Sequence, residues 1–151
     1  MRRSKLRVYL HLVWGTHDRL PLVRPEIERR LYRSIAAEVR KLRCRVLAMG
    51  GMPDHVHLVV QLAATVTVAE LLKQVKGVSS TFARVELCKG EFFSWHEGYS
   101  AFSVSGTHLA RVIEYANGQK QHHASADLHP AWEEIDEEPG ECVEIPEVEI
   151  G

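Results

Sequence analysis

The chain predicts an α+β fold: a ferredoxin-like, antiparallel four-stranded sheet with helices packed on one face, plus a C-terminal tyrosine-bearing helix. Three observations predict it. Patterned segments follow one another as strand, helix, strand, strand, helix, strand, helix, and the first six match a split β-α-β arrangement. Turn signals rich in Gly, Pro and Asp separate them. At 151 residues the chain suits one domain with its own core.

Val8–Trp14 is apolar and rich in β-branched and aromatic residues, hence a strand, and Gly15-Thr-His-Asp-Arg with Pro21 marks the loop after it. Pro25 followed by Glu26 and Glu28 starts a helix, because proline fits the first helical position and acids suit the first turn. Ile27, Leu31, Ile35, Val39 and Leu42 continue it at helical spacing. Cys44–Met49 and His55–Leu62 read as strands joined by Gly50-Gly-Met-Pro-Asp54. Thr67-Val-Ala-Glu70 has the capping-box form, opening a helix carried by Leu71, Leu72, Val75, Val78 and Phe82. Phe102–Val104 is a short fourth strand, and Ser105-Gly-Thr opens a last helix running to about His123. Within it, Asn117-Gly118 is a stop signal, and glycine costs roughly 1 kcal/mol in a helix interior.

Composition excludes several classes. The 45% hydrophobic and 26% charged residues are those of an ordinary soluble protein. No apolar run approaches the roughly 18 residues of a membrane span, and no secretory h-region follows the basic N-terminus. Cys44, Cys88 and Cys142 show no paired spacing, which argues against a disulfide scaffold or zinc knuckle and for a cytoplasmic protein.

Net charge hides an asymmetry. All 19 Lys and Arg precede residue 121, and 9 of the 20 acidic residues lie between Glu133 and Glu149. Residues 1–130 therefore hold 19 basic against 11 acidic side chains, +8, and residues 131–151 carry −9. A polyanion-binding body with an acidic appendage is the expectation. Arg2, Arg3 and Lys5 form one basic cluster, and Arg29, Arg30 and Arg33 lie in another. A solvated helix face is the plainer reading of the second; a phosphate-tracking surface is the functional one.

The sharpest motif is Gly51-Met-Pro-Asp-His-Val-His-Leu-Val59. In a strand, residues i and i+2 share a face, so His55 and His57 can converge on one ion or one phosphate. Adjacent imidazoles are costly to bury unless something occupies the space between them. A second polar line follows on the last helix, where Tyr115, Gln119 and His122 are spaced i, i+4 and i+7. Relative to the apolar centre formed by Leu109, Val112, Ile113 and Ala116, they fall on the flank of the packed face. Each motif alone also fits a plain structural part: a hydrogen-bonded histidine pair, or a boundary tyrosine with its hydroxyl in water.

Together the segments resemble the single-tyrosine HUH transposases of the insertion-sequence-200-like family, including the REP-associated tyrosine transposases. The resemblance rests on Val13-Trp-Gly-Thr-His-Asp-Arg19, the Gly51–Val59 motif, Lys76-Gly-Val-Ser-Ser80, Trp95–Ser105 and Tyr115-x3-Gln-x2-His-His123. It implies a catalytic domain over residues 1–130; the acidic C-terminal tail over 131–151, read from charge, stands where the family usually has a basic extension. It further implies a DNA strand transferase in which Tyr115 is the nucleophile and His55, His57 and Gln119 bind Mg²⁺ or Mn²⁺. His122 is a candidate support. The expected substrate is single-stranded DNA beside a hairpin, held by Arg2, Arg3, Lys5, Arg29, Arg30 and Arg33, with Trp95 and Tyr99 open to base stacking. Relatives work as homodimers or as monomers, so assembly stays open, as do two other functions: an inactive single-strand-binding protein and a metal-dependent phosphoesterase. The acidic tail is expected to compete with DNA for the basic surface.

Overall fold

A computed structural model describes residues 4–133. Its sheet comprises β1 (Tyr9–Gly15), β2 (Arg45–Met52), β3 (His55–Gln61) and β4 (Ser100–Val104) in the order β2-β3-β1-β4, every pairing antiparallel. The expected fold class is the one observed. Two helices, α1 (Pro25–Lys41) and α2 (Val68–Phe82), cover one face. Pro25 starts α1 as expected, and the Thr67 hydroxyl accepts from the Glu70 N–H at 3.1 Å to cap α2. A π-helical turn, Ala83–Leu87, ends α2.

Strand parity decides which side chains meet. Leu10, Leu12 and Trp14 of β1 and Val56, Leu58 and Val60 of β3 bury themselves beneath α1 and α2 with Leu31, Ile35, Leu71 and Val75. Between the helices, the buried Glu38 carboxylate accepts from Lys41 and Gln74 at 2.8 and 3.0 Å. The opposite parity places His11, His55, His57 and Val59 on the other face. That face is covered by α3 (Leu109–Asn117), whose Val112 and Ala116 pack on Ala48 and Val59.

Gly50 of β2 lies directly beneath α3. A Cβ there would come within 1.9 Å of the Ala116 carbonyl oxygen, so only glycine allows the helix this close.

Three sequence expectations need correction. The last helix is not continuous to His123: it breaks at Gly118 into α3 and α4 (Gln119–Ala124), as the Asn-Gly stop signal explains. Trp95 is not a surface ring. It is buried, edge-on to Trp14 and Phe93, with its indole N–H donated to Ser79 Oγ at 2.9 Å, and no face is left for a base. The start of the segment assigned to the tail also folds onto the body: Pro130–Glu133 forms a short helix, α5, and Trp132 joins the cluster around Val112. The rest of the acidic tail, Arg2 and Arg3 lie outside the described residues. No helix among the described residues is long and apolar enough to cross a membrane.

Candidate active site

The site forms where β1 and β3 meet α3, α4 and α5. His55 and His57 emerge from β3 on the face away from α1 and α2, and both are buried. Their outer nitrogens are each fixed by a partner. His55 Nδ1 is 2.7 Å from Asp54 Oδ1, and Asp54 in turn accepts from the Arg19 guanidinium at 3.3 Å. Arg19 reaches it from a 3₁₀ turn (His17–Arg19) in which Asp18 and Arg19 take φ of 52° and 55°. Two successive left-handed residues without glycine are uncommon, and here they aim that guanidinium at the site.

His57 Nδ1 lies 2.8 Å from His11 Nε2, across the β1–β3 pairing. Burial, then the neighbouring His57, pushes the His11 pKa down to about 3, so His11 is a neutral partner. When His57 donates its Nδ1–H to His11, its Nε2 lone pair faces the cleft. That Nε2 is buried without a hydrogen-bond partner.

Gln119 completes the inner wall. Although Gly118 interrupts the helix, the Gln119 Nε2 donates to the Tyr115 carbonyl at 3.0 Å. The amide is thereby oriented with Oε1 inward, 3.3 Å from His55 Nε2 and 3.1 Å from His123 Nε2. The break at Gly118 therefore does not remove Gln119 from the site; it is buried there.

Tyr115 is more buried than a flank position suggests, because α5 closes over it. Its hydroxyl donates to Glu133 Oε1 at 2.5 Å and accepts from the His129 N–H at 3.0 Å. Its ring stacks on His122 with centroids 4.8 Å apart and meets His57 edge-on at 5.7 Å. Burial, reinforced by the Glu133 hydrogen bond, pushes its pKa up to about 12. The tyrosine is thus a neutral phenol held beside the histidine pair of its own chain.

Glu133 bridges the parts. Oε2 lies 3.1 Å from His55 Nε2 and 3.6 Å from His123 Nε2, and Oε1 lies 3.4 Å from His57 Nε2. Burial opposes its charge, but the hydrogen bonds from His55 and Tyr115, with the His57 ring close by, hold the carboxyl far below the usual range. Burial also works against charge on His55. Asp54 and Glu133 outweigh it and lift that pKa to about 9.

The convergence is chemically specific. His57 Nε2, Gln119 Oε1 and the Glu133 carboxylate oxygens face one space, and His123 Nε2–H donates to Gln119 Oε1 at its edge. Buried acceptors facing acceptors repel unless a cation lies among them. In the metal-free chain the proton on His55 serves; a divalent ion fits the same donor set. The ligand atoms of His55, His57 and Glu133 lie within 4.8 Å of one another.

The fold and this site invite comparison with known proteins. Residues 4–119 match the family described as "Transposase IS200 like". The chain belongs to the IS200-like transposase family. Among curated relatives, the ISDra2 transposase TnpA of Deinococcus radiodurans is 26% identical over 130 residues, covering 79% of this chain and 91% of the relative. Two solved structures share the fold. One is a candidate transposase from Deinococcus radiodurans, with a TM-score of 0.58, 21% identity and coverage of 79% of this chain and 98% of that one. The other is a REP-associated tyrosine transposase bound to a REP hairpin, with a TM-score of 0.61, 13% identity and coverage of 82% and 73%.

The other expected site residues are more scattered. Arg29 and Arg33 line a groove of about 610 Å³ between α1 and α4 together with Arg40, Tyr32 and Lys120. Arg30 leaves that groove and lies 6.0 Å over the Phe82 ring. Lys5 and Tyr99 are exposed. Sequence reading missed His11, His123 and Glu133. His11 had a usable signal: it is the one polar residue in Val8–Trp14, two positions from Val13 on the face that carries His57. His123 lies in the Tyr115-x3-Gln-x2-His-His123 segment, whereas Glu133 had no signal, because the helix break at Gly118 and the loop over residues 125–129 decide where it points.

Proposed function

We propose that this IS200-like transposase cuts and rejoins single-stranded DNA, with Tyr115 as nucleophile and a divalent ion at His55, His57 and Gln119. The observation that supports this best is the set of inward lone pairs beside a buried tyrosine hydroxyl. A bound Mg²⁺ or Mn²⁺ would draw charge from the non-bridging phosphate oxygens and stabilise the departing 3′-oxygen.

The chain's own residues do the rest. Asp54 and His11 hold the two imidazoles in the tautomers that turn Nε2 inward, as outer partners of ligating histidines do. His122 stacks on Tyr115 and the His129 N–H holds its hydroxyl, which fixes the direction of attack. The Tyr115 oxygen bonds to phosphorus as the P–O3′ bond breaks; the phenol loses a proton and the 3′-oxygen gains one. The products are a 5′-phosphotyrosine and a free 3′-hydroxyl. No water enters, so the 3′-hydroxyl can later attack the tyrosyl ester and rejoin strands.

Residues 1–130 would act as the catalytic domain, with Lys5, Arg29 and Arg33 along the phosphate path and Tyr99 open to a base. The hairpin bound by the REP-associated relative supports a hairpin-bearing strand as substrate. Tyr115 lies beside the histidines of its own chain, which supports action in cis.

A hairpin oligonucleotide labelled at each end in turn tests the reading. With Mn²⁺, the 3′-side fragment should migrate with the protein and the 5′-side fragment should leave with a free 3′-hydroxyl. Two free fragments without a protein-linked one would indicate a phosphoesterase, and salt-sensitive binding without cleavage an inactive binding protein.

A further inference from the structure

We propose that Glu133 is a ligand of the ion held by His55 and His57, supplied by a segment that the family match does not reach. The proposal rests on the metal-dependent reading above. The matched region ends at Gln119, fourteen positions earlier, so nothing in the shared pattern assigns this carboxylate.

The geometry suits a ligand. Two cis ligands about 2.1 Å from an octahedral ion lie about 3 Å apart. Glu133 Oε2 is 3.1 Å from His55 Nε2, and Oε1 is 3.4 Å from His57 Nε2. The position is built rather than incidental. Trp132 wedges α5 in place, stacked on His129 at 3.9 Å and edge-on to His11 and Tyr115 at 5.4 and 4.9 Å. The Glu133 side chain is only 15% exposed.

Charge gives the stronger argument. Two neutral imidazoles and an amide offer a divalent ion no anionic ligand, whereas Mg²⁺ and Mn²⁺ favour carboxylate oxygen. Asp54 is committed to the far nitrogen of His55 and to Arg19. Among the described residues, Glu133 is the acid that reaches the inward nitrogens of both histidines. The same carboxylate accepts from Tyr115, so one side chain would hold the ion and the nucleophile at a set distance. His123 Nε2, 3.6 Å from Oε2, stands as its neighbour at the edge of the site.

The test is Mn²⁺ titration of the full chain, read by the free-ion EPR signal and by calorimetry. Glu133→Gln, which keeps the shape, and Glu133→Ala should each weaken Mn²⁺ at least about tenfold, the lower end of what even outer partners of ligands contribute. Thermal melts without metal check that the variants fold, and Glu114→Gln, an exposed acid on α3, should bind as wild type does. Unchanged affinity in both Glu133 variants, with the ion lost in His57→Ala, would overturn the ligand role and leave the histidine site standing. Mn²⁺ affinity kept in Glu133→Gln together with tighter hairpin binding would also overturn it, marking the segment as an occluding plug. A wild-type chain that binds no Mn²⁺ would overturn both this proposal and the reading beneath it.

Discussion

Replacing Gly50 by alanine tests the position of the tyrosine helix, because Gly50 pairs with His57 through the backbone alone and brings no side chain to the site. A Cβ at Gly50 would sit 1.9 Å from the Ala116 carbonyl oxygen and 3.0 Å from its carbon. Both are backbone atoms, so no side chain can swing aside. To reach ordinary van der Waals separation, α3 must retreat from β2 by about 1.5 Å. Overpacking of this kind costs about 1–3 kcal/mol, or roughly 4 °C in Tm for each kcal/mol in a chain of this size. Tyr115 precedes Ala116 and Gln119 follows it by three residues, so both move relative to His55 and His57. A misplacement of about 1 Å costs on the order of a hundredfold in rate. The assays are a thermal melt and the rate of covalent protein–DNA adduct formation, with hairpin binding measured alongside. The variant should melt lower and form adduct at least about thirtyfold more slowly while retaining most hairpin affinity. Wild-type melting and adduct rate would refute the close packing of α3 on β2 and the claim that it sets the tyrosine.

Three further predictions follow from the site. Without metal, stability should peak near pH 6.5. His55 is raised to about 9, so its contribution is complete below 6.5 and is lost as pH climbs to about 9; His11, at about 3, and the lowered His57 withhold protons that the unfolded chain takes up, so stability also falls below 6.5. Each limb is worth on the order of 2–3 kcal/mol, and a flat Tm between pH 5 and 9 in chelator would contradict it. His11→Ala frees the His57 ring and should weaken Mn²⁺ by about 10–100-fold, read by calorimetry, with His55→Ala as the fully defective reference. Truncation after Glu133 removes eight acidic residues and leaves the site intact, so single-strand affinity at low salt should rise and the gain should vanish at about 0.5 M salt. Unchanged affinity would end the idea that the tail competes with DNA.

Much of the fold was legible because its signals are local. The apolar run of β1, the Pro25 start and the Thr67 cap each act within a few positions, and each element lies within a few residues of where the pattern places it. The histidine pair was legible for the same reason, since strand parity alone joins His55 to His57. What sequence could not show depends on contacts far apart in the chain. Trp95 sits among Gly and Ser, which suggests a loop surface, yet Trp14, Phe93 and Ser79 draw it into the core. Glu133 looks like one acid in a solvated run, and only the docking of Trp132 against His11 and Tyr115 turns its carboxylate inward. Gln119 shows the opposite case. Local propensity argues against it after Gly118, yet a hydrogen bond to the Tyr115 carbonyl four residues back orients it, and its oxygen meets His55 from β3.

The central claim is that Tyr115 attacks the scissile phosphate beside its own chain's histidine pair. Mass spectrometry of proteolysed enzyme after incubation with a hairpin single strand and Mn²⁺ tests it most directly. The account predicts a 5′-phosphonucleotide on the peptide containing Tyr115, absent in Tyr115→Phe, absent in His57→Ala, and not restored by mixing His55→Ala with Tyr115→Phe. An adduct on another residue, or cleavage that persists in Tyr115→Phe, would contradict it.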